Sequence, residues 1–167
     1  SGASLTNLPA HTGNVAFPAT QVASGDANTL DDYEEGTWTP TIQDGSRSDS
    51  ESQAYSTQTG KYTKIGRVVC IAGKITTSSL GTLSGNLALA GLPFAPVSGV
   101  ASAGYMGFVS QMALPAAGNS PLAFSLDPGS TACTLWQHEV TAGVGGVSTT
   151  EWSADGNAYI NATYITT

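Results

Sequence analysis

Four carboxylates lie within five residues near the start of the chain, and they are the densest group of side chains that could do acid–base or metal chemistry: Asp31, Asp32, Glu34 and Glu35. Glycoside hydrolysis needs two carboxyl groups about 5 to 10 Å apart, on opposite sides of the scissile bond. Neighbouring side chains of a strand diverge, so this run does not supply such a pair directly. A catalytic site assembled between chains stays open, but the sequence predicts a protein that is not an enzyme.

The same acids could bind a hard cation such as Ca²⁺, because carboxylate oxygens are its usual ligands. The spacing of an EF-hand loop is absent, and the acids could equally pair with basic residues of a neighbouring chain, namely Lys61, Lys64 or Arg67. His11 and His138 lie in no metal-binding or triad spacing. We therefore predict no metal and no cofactor. Since four like charges repel one another in a dry core, we place the acids at the surface or at a junction between chains.

A second group of residues, in the last third of the chain, could bind a sugar. Aromatic rings stack on the apolar face of a pyranose, and short polar side chains bond its hydroxyls. The candidate ligand-binding residues are Trp136, Trp152, Asp155, Asn157 and Tyr159. Two alternatives stay open. The rings could fill the core, and Asp155 and Asn157 could serve only a turn that we predict at 153–157.

Strands must position these side chains, because the apolar residues after Thr37 recur with period two. Residues 67–76 put Val69, Ile71 and Ile75 on one face, and apolar residues also lie on the other face, so we expect cover on both. Ile65-Gly66-Arg67 predicts a hairpin. A first strand is expected to begin at Thr37, and further strands are expected at 86–90, 104–110, 122–126, 132–140, 148–152 and 158–165.

No segment has the start, period and stop signals of an amphipathic helix. About nine short strands without helices predict an all-β fold, an antiparallel β-sandwich or jelly-roll-like head domain. The 167 residues suffice for one such domain with a short appendage. Residues 1–29 follow neither a helix nor a strand period, but three copies around an axis could bury a few apolar side chains: Leu5, Leu8, Val15 and Phe17. We interpret them as the end of a fibre shaft, with a disordered leader as the alternative.

The composition disfavours two classes of partner, nucleic acids and membranes. The net charge of −7 disfavours binding to nucleic acid, and no run of about 18 apolar residues is available to insert into a membrane. Cys70 and Cys133 lie in apolar stretches far apart in sequence. Two cysteines do not make a disulfide framework, so we expect two buried free thiols.

Three blocks of sequence, in order, resemble the C-terminal region of bacteriophage tail fibre and tailspike proteins. They read NTLDDYEEGTWTP at 28–40, YSTQTGKYTKIG at 55–66 and GLPF at 91–94. The resemblance covers roughly residues 17–96, and beyond Ala101 no shared pattern continues. It implies a homotrimer at the tail fibre tip of a virion, made in the bacterial host cytoplasm.

With this resemblance, residues 1–35 are expected to form the end of a fibre shaft with an acidic collar, and residues 36–167 the receptor-binding head. The implied function is host attachment by noncovalent carbohydrate binding, the ligand being a host cell-surface glycan such as lipopolysaccharide or capsule. One alternative is a C-terminal trimerisation or capping domain of a tailspike whose enzymatic part lies upstream. A glycan hydrolase is the third possibility.

Overall fold

The structure is a computed structural model that describes residues 32–45, 51–114, 122–139 and 143–167, with Gly13, Leu30 and Arg47 as single residues. The residues that we predict to be buried in a fibre shaft, Leu5, Leu8, Val15 and Phe17, lie outside the described residues, as do His11 and Asp31.

Ten strands make up the described part of the chain, and no helix occurs among these residues. The strands are β1 (Tyr33–Trp38), β2 (Thr41–Asp44), β3 (Ala54–Ile65), β4 (Val68–Ser79), β5 (Leu87–Ala90), β6 (Ser102–Met112), β7 (Leu122–Leu126), β8 (Ala132–Glu139), β9 (Gly143–Gly146) and β10 (Trp152–Ile165). Correspondingly, the described residues contain no helix that is long and apolar enough to cross a membrane.

All strand pairs are antiparallel, so the predicted all-β antiparallel class is confirmed. The strands form one sheet in the order β1-β3-β4-β10-β6-β7-β8-β5-β2, with β9 also paired to β8. The predicted division into two sheets is not found among them. Instead, the single sheet curls into a half-barrel, and the last strand in sequence, β10, lies near its middle.

The curl follows from the connection between β1 and β2. These strands occupy opposite edges of the sheet, yet only Thr39 and Pro40 separate them in sequence. Because the three steps from Trp38 to Thr41 span at most about 11 Å, the two edges must approach each other there. Side chains then bridge the gap: the Ile42 N–H donates to Tyr55 Oη over 2.9 Å, and Gln58 Nε2 donates to the Pro40 carbonyl over 2.9 Å.

The core lies on the concave side of the curl, and strand alternation selects its members. In β4, Val69, Ile71 and Ile75 are buried, whereas Val68, Cys70 and Ala72 on the outer face are exposed. The expectation that both faces are covered is wrong for the single chain, because one sheet layer has only one inner side. Consequently Cys70 is exposed rather than buried, while Cys133 is buried as expected, and both thiols are free.

Two glycines occupy positions where a side chain would be strained by the backbone conformation or would clash with a neighbour. Gly66 has a φ of 56° in the two-residue turn between β3 and β4, so the predicted hairpin is confirmed. Gly60 faces the indole of Trp38, and a Cβ at this position would lie 2.3 Å from Trp38 Nε1. The buried Trp38 ring therefore packs directly on the backbone of β3, and its Nε1 donates to the Ala72 carbonyl over 3.3 Å.

Some strand predictions were wrong. Residues 148–151 form a turn, in which the Ser148 N–H donates to Glu151 Oε2 over 2.7 Å. The predicted turn at 153–157 instead belongs to β10, with a register shift between Trp152 and Asn157 against β6. β1 begins at Tyr33 rather than at Thr37, and β2 and β9 were not predicted.

Candidate functional site

Three of the four acids, Asp32, Glu34 and Glu35, have partners within their own chain. Asp32 is buried, and its Oδ2 lies 3.1 Å from Nζ of the equally buried Lys64 on β3. The expectation that these acids all lie at a surface or a junction is therefore wrong for Asp32. A single buried acid with a cationic partner avoids the repulsion that four buried acids would suffer.

The two glutamates at the start of β1 accept hydrogen bonds from tyrosines. Tyr62 donates to Glu34 and Tyr33 donates to Glu35. The bond to the Glu34 carboxylate is the main cause that raises the pKa of Tyr62 to about 12, because it favours the protonated phenol. Within the described ranges, no group of three His, Cys, Asp or Glu side chains is placed to hold a metal.

Exposed aromatic rings gather on the outer face of the sheet, opposite the core. Tyr105 and Phe108 of β6 are 59% and 51% exposed, and Tyr159 of β10 is 43% exposed. The Phe108 and Tyr159 rings lie 5.2 Å apart between centroids at 40°, and Lys74 Nζ lies 5.6 Å from the Tyr159 centroid. We call Tyr105, Phe108 and Tyr159 the aromatic face.

A hydrogen-bonded row crosses the sheet beside the aromatic face. Thr76 Oγ1 on β4 donates to Asn157 Oδ1 over 3.0 Å, and Asn157 Nδ2 donates to Ser110 Oγ over 3.1 Å. This row fixes the amide of Asn157, so that it is held in one orientation next to the rings. Asn161, four residues further along β10, pairs with Tyr105 and is half-buried.

The structure separates the two tryptophans among the predicted site residues. Trp152 is 0% exposed in the core, and its Nε1 donates to Thr77 Oγ1 over 3.1 Å. Trp152 therefore fills the core, which is the alternative that the sequence left open for this ring. Trp136 is half-buried on the outer face, where its Nε1 donates to Ser125 Oγ over 2.9 Å. Ala123 on β7 pairs with both Trp136 on β8 and Tyr105 on β6, so β7 separates Trp136 from the aromatic face.

The three remaining predicted site residues lie on β10. Asn157 and Tyr159 are outward neighbours in alternating positions and belong to the surface just described. Asp155 is exposed near the start of the strand. The structure thus brings together Asn157 and Tyr159 and leaves the Trp152 ring on the opposite side of the sheet.

Sequence reasoning did not select Tyr105, Phe108 or Lys74. A signal for Tyr105 was present, because in the strand predicted at 104–110 the buried Met106 alternates with it. Phe108 shares a face with Tyr105 only because the register shifts at a bulge between Tyr159 and Ile160. No pattern of residues in the sequence predicted this bulge.

These strands define the class of the molecule as an all-β protein built on one curled antiparallel sheet. A solved structure described as "Crystal structure of Dettilon tailspike protein (gp208)" shares this fold, with a TM-score of 0.65 and 18% sequence identity over 80% of this chain and 24% of that chain. The chain therefore spans about a quarter of the length of that tailspike chain. No protein-family model and no curated protein matches the sequence.

Proposed function

We propose that this chain is a tail-associated module of a bacteriophage that attaches the virion to a host cell-surface polysaccharide by noncovalent binding. The observation that carries the proposal is the aromatic face, three exposed rings on two adjacent strands. Contiguous exposed apolar groups on a soluble protein mark interaction surfaces. Rings next to short amides are the combination that recognises the alternating apolar and polar faces of a sugar.

Two likenesses support the phage assignment. The fold is shared with part of a tailspike, and the three sequence blocks resemble tail fibre and tailspike ends. The chemistry that we propose is binding without bond cleavage. Asp32, Glu34 and Glu35 are engaged by Lys64, Tyr62 and Tyr33, and Glu151 accepts hydrogen bonds from Ser148 in a turn.

A second candidate function, trimerisation or capping at the end of a tailspike, is favoured by a different part of the outer face. Tyr33 pairs with Ile65, and Ile65 pairs with Val68, so three exposed apolar side chains form a row across β1, β3 and β4. Such a row suits contact with a second copy of the chain. We propose a homotrimer in which this row contributes to the interface.

Binding to an array of bacterial surface polysaccharides tests the first candidate. Tyr105→Ala and Phe108→Ala should each weaken binding by about 5- to 150-fold, by analogy with the loss of a ring on which a nucleic-acid base stacks. Both residues are more than half exposed, so the far-UV circular dichroism should not change. Val100→Ala, which removes an exposed apolar side chain from a loop, is the matched control and should bind normally.

Native mass separates the two candidates. If the chain only trimerises, the protein binds no polysaccharide, and Ile65→Asp with Val68→Asp shifts its mass to that of one chain. If it binds glycans, the Tyr105→Ala variant loses binding at unchanged mass. Full binding by both ring variants would remove the aromatic face as the site.

A further inference from the structure

The basic side chains of this acidic chain fall into two groups: those that bind a carboxylate or a carbonyl of the same chain, and two lysines for which no such bond is described. Five Lys and Arg residues stand against twelve Asp and Glu residues. Three of the five are bound inside the chain: Arg47 pairs with Asp127, Lys64 pairs with Asp32, and Arg67 Nε donates to the Thr166 carbonyl over 3.0 Å. The other two are Lys61 and Lys74, and we call them the lysine pair.

The lysine pair lies on one face of two adjacent strands. Lys61 pairs with Ala72 and Thr59 pairs with Lys74. The two lysines are therefore diagonal neighbours, with Cα atoms about 7 to 8 Å apart. Within the part of the chain that the structure describes, neither forms an ion pair. Glu35 on β1 is the diagonal neighbour of Lys61 on the other side, and its carboxylate accepts a hydrogen bond from Tyr33. Two ammonium groups this close repel; the Glu35 carboxylate offsets part of this repulsion beside Lys61, and the Tyr159 ring lies 5.6 Å from Lys74 Nζ.

Small residues leave the lysine pair open. Ala72 is exposed between the two lysines, and shallow grooves run over Ala72 and Gly73 from Lys61 past Lys74 to Tyr159 and Asn161. The lysine pair is therefore continuous with the aromatic face. A polysaccharide that lies across β3, β4, β10 and β6 would meet two ammonium groups first and then the rings.

We infer that the bound polysaccharide is acidic, with carboxylates on its sugar units that pair with Lys61 and Lys74; this inference rests on the proposed function. The argument is charge complementarity, since the lysine pair is a local positive site on a chain of net charge −7. Separate carboxylates suit two separate point charges. A single phosphate would be held by converging donors, and the backbone N–H groups of these central strands are used by the sheet.

The test measures binding of the full chain to polygalacturonate and to the same polymer after its carboxyl groups have been reduced to alcohols. The wild type should bind the acidic form about tenfold more tightly than the reduced form, and this preference should shrink at higher salt because the charges are screened. Lys61→Gln with Lys74→Gln should weaken this binding about tenfold, or about 1.4 kcal/mol, while Lys61→Arg with Lys74→Arg retains it.

A second double variant controls for net charge. Ser84→Asp with Ser98→Asp, both in exposed loops, makes the chain two charges more negative, as does the double Gln variant. It should bind like the wild type. Equal weakening in both would mean that total charge alone matters and would overturn the lysine assignment.

The remaining outcomes are distinct. Equal binding of the acidic and the reduced polymer, unaffected by the Gln variant, overturns the inference and leaves the proposed function standing. Absence of binding to these polymers and to every polysaccharide on the array overturns both. A change of native mass in the Gln variant at unaltered circular dichroism would show that a second copy of the chain occupies the lysine pair, and this also overturns the inference.

Discussion

Nζ of Lys64 lies 3.1 Å from Oδ2 of Asp32, and the two side chains are only 3% and 8% exposed. The Asp32 carbonyl also accepts the Gly66 N–H over 2.8 Å, and Lys64 Nζ lies 5.7 Å from the centroid of the Phe94 ring. The residue that leads into β1 is thereby fixed to the hairpin between β3 and β4. This contact is internal to one chain and does not depend on a partner.

Breaking this ion pair should cost more than breaking a surface pair. Asp32→Ala leaves the buried Lys64 ammonium without its carboxylate, so we expect the free energy of unfolding to fall by about 3 kcal/mol. Urea denaturation followed by tryptophan fluorescence measures the change. Salt should alter it little, because buried charges are poorly screened.

Two variants control for this effect. Asp32→Leu combined with Lys64→Met removes both charges and should cost clearly less than either single change, while Glu35→Gln at an exposed position should cost little. A loss for Asp32→Ala that is no larger than that for Glu35→Gln would show that the buried pair contributes nothing to stability.

Gly60→Ala should destabilise the sheet by about 1 to 3 kcal/mol, because the added Cβ would lie 2.3 Å from Trp38 Nε1 and must displace a buried indole. Thermal unfolding compares it with Gly45→Ala, where no atom of the described residues lies within 4 Å of the added atom. Equal melting temperatures would mean that Trp38 moves aside without cost.

Trp152→Ala should unfold or severely weaken the protein, by about 3 to 5 kcal/mol, because it empties a fully buried site and leaves the Thr77 hydroxyl without a donor. Trp136→Ala, at a half-buried outer position, should lower the free energy of unfolding by less. Circular dichroism and chemical denaturation measure both. If the Trp152→Ala protein folds normally and loses only glycan binding, this result would show that Trp152 belongs to the binding site and not to the core.

The two thiols should differ in reactivity. Cys70 is exposed on the outer face, whereas Cys133 is buried, and burial raises the pKa of its thiol to about 12. Since the thiolate is the reacting form, a disulfide reagent should modify one thiol rapidly in the native protein and two after denaturation. In Cys70→Ser the rapid phase should disappear. Two rapid equivalents in the native wild type would contradict this assignment.

Stability should fall at alkaline pH. The pKa of Tyr62 is raised from 10.0 to about 12, so between pH 10 and pH 12 the folded state retains a proton that the unfolded state releases. The stabilisation that protonated Tyr62 gives to the folded state is complete below pH 10 and is lost as the pH rises from 10 to 12. In Tyr62→Phe the free energy of unfolding should decline less steeply. Burial also raises the pKa of Tyr164, so a residual slope should persist. Identical slopes in wild type and variant would exclude Tyr62.

Local features of the fold were predictable from sequence, and long-range ones were not. Gly66 between two alternating runs predicted the hairpin, and alternation placed Val69 and Ile71 on the same face, which is the buried one. The single sheet could not be predicted, because it depends on β10 pairing with both β4 and β6. β9 reads Gly-Val-Gly-Gly and has almost no strand propensity, so only its pairing to β8 makes it a strand.

The candidate site was predictable only where the strand was placed correctly. Tyr159 and Asn157 alternate with the buried Ala158 and Ile160, which follows once β10 is recognised. Trp152 shares the even positions of these core residues, but the turn predicted at 153–157 hid this relationship. The lysine pair arises from the register between β3 and β4, which the hairpin turn sets and which composition does not report.

The position of β10 also constrains how the protein can be made on a ribosome. β1, β3 and β4 can pair once residue 79 has emerged, and β5 to β8 can pair with one another later, but residues 152–165 must join these two partial sheets. Until then β4 and β6 each present an open edge, which is the kind of surface that pairs with other chains. Premature termination before Trp152 should thus yield aggregates rather than a smaller folded protein.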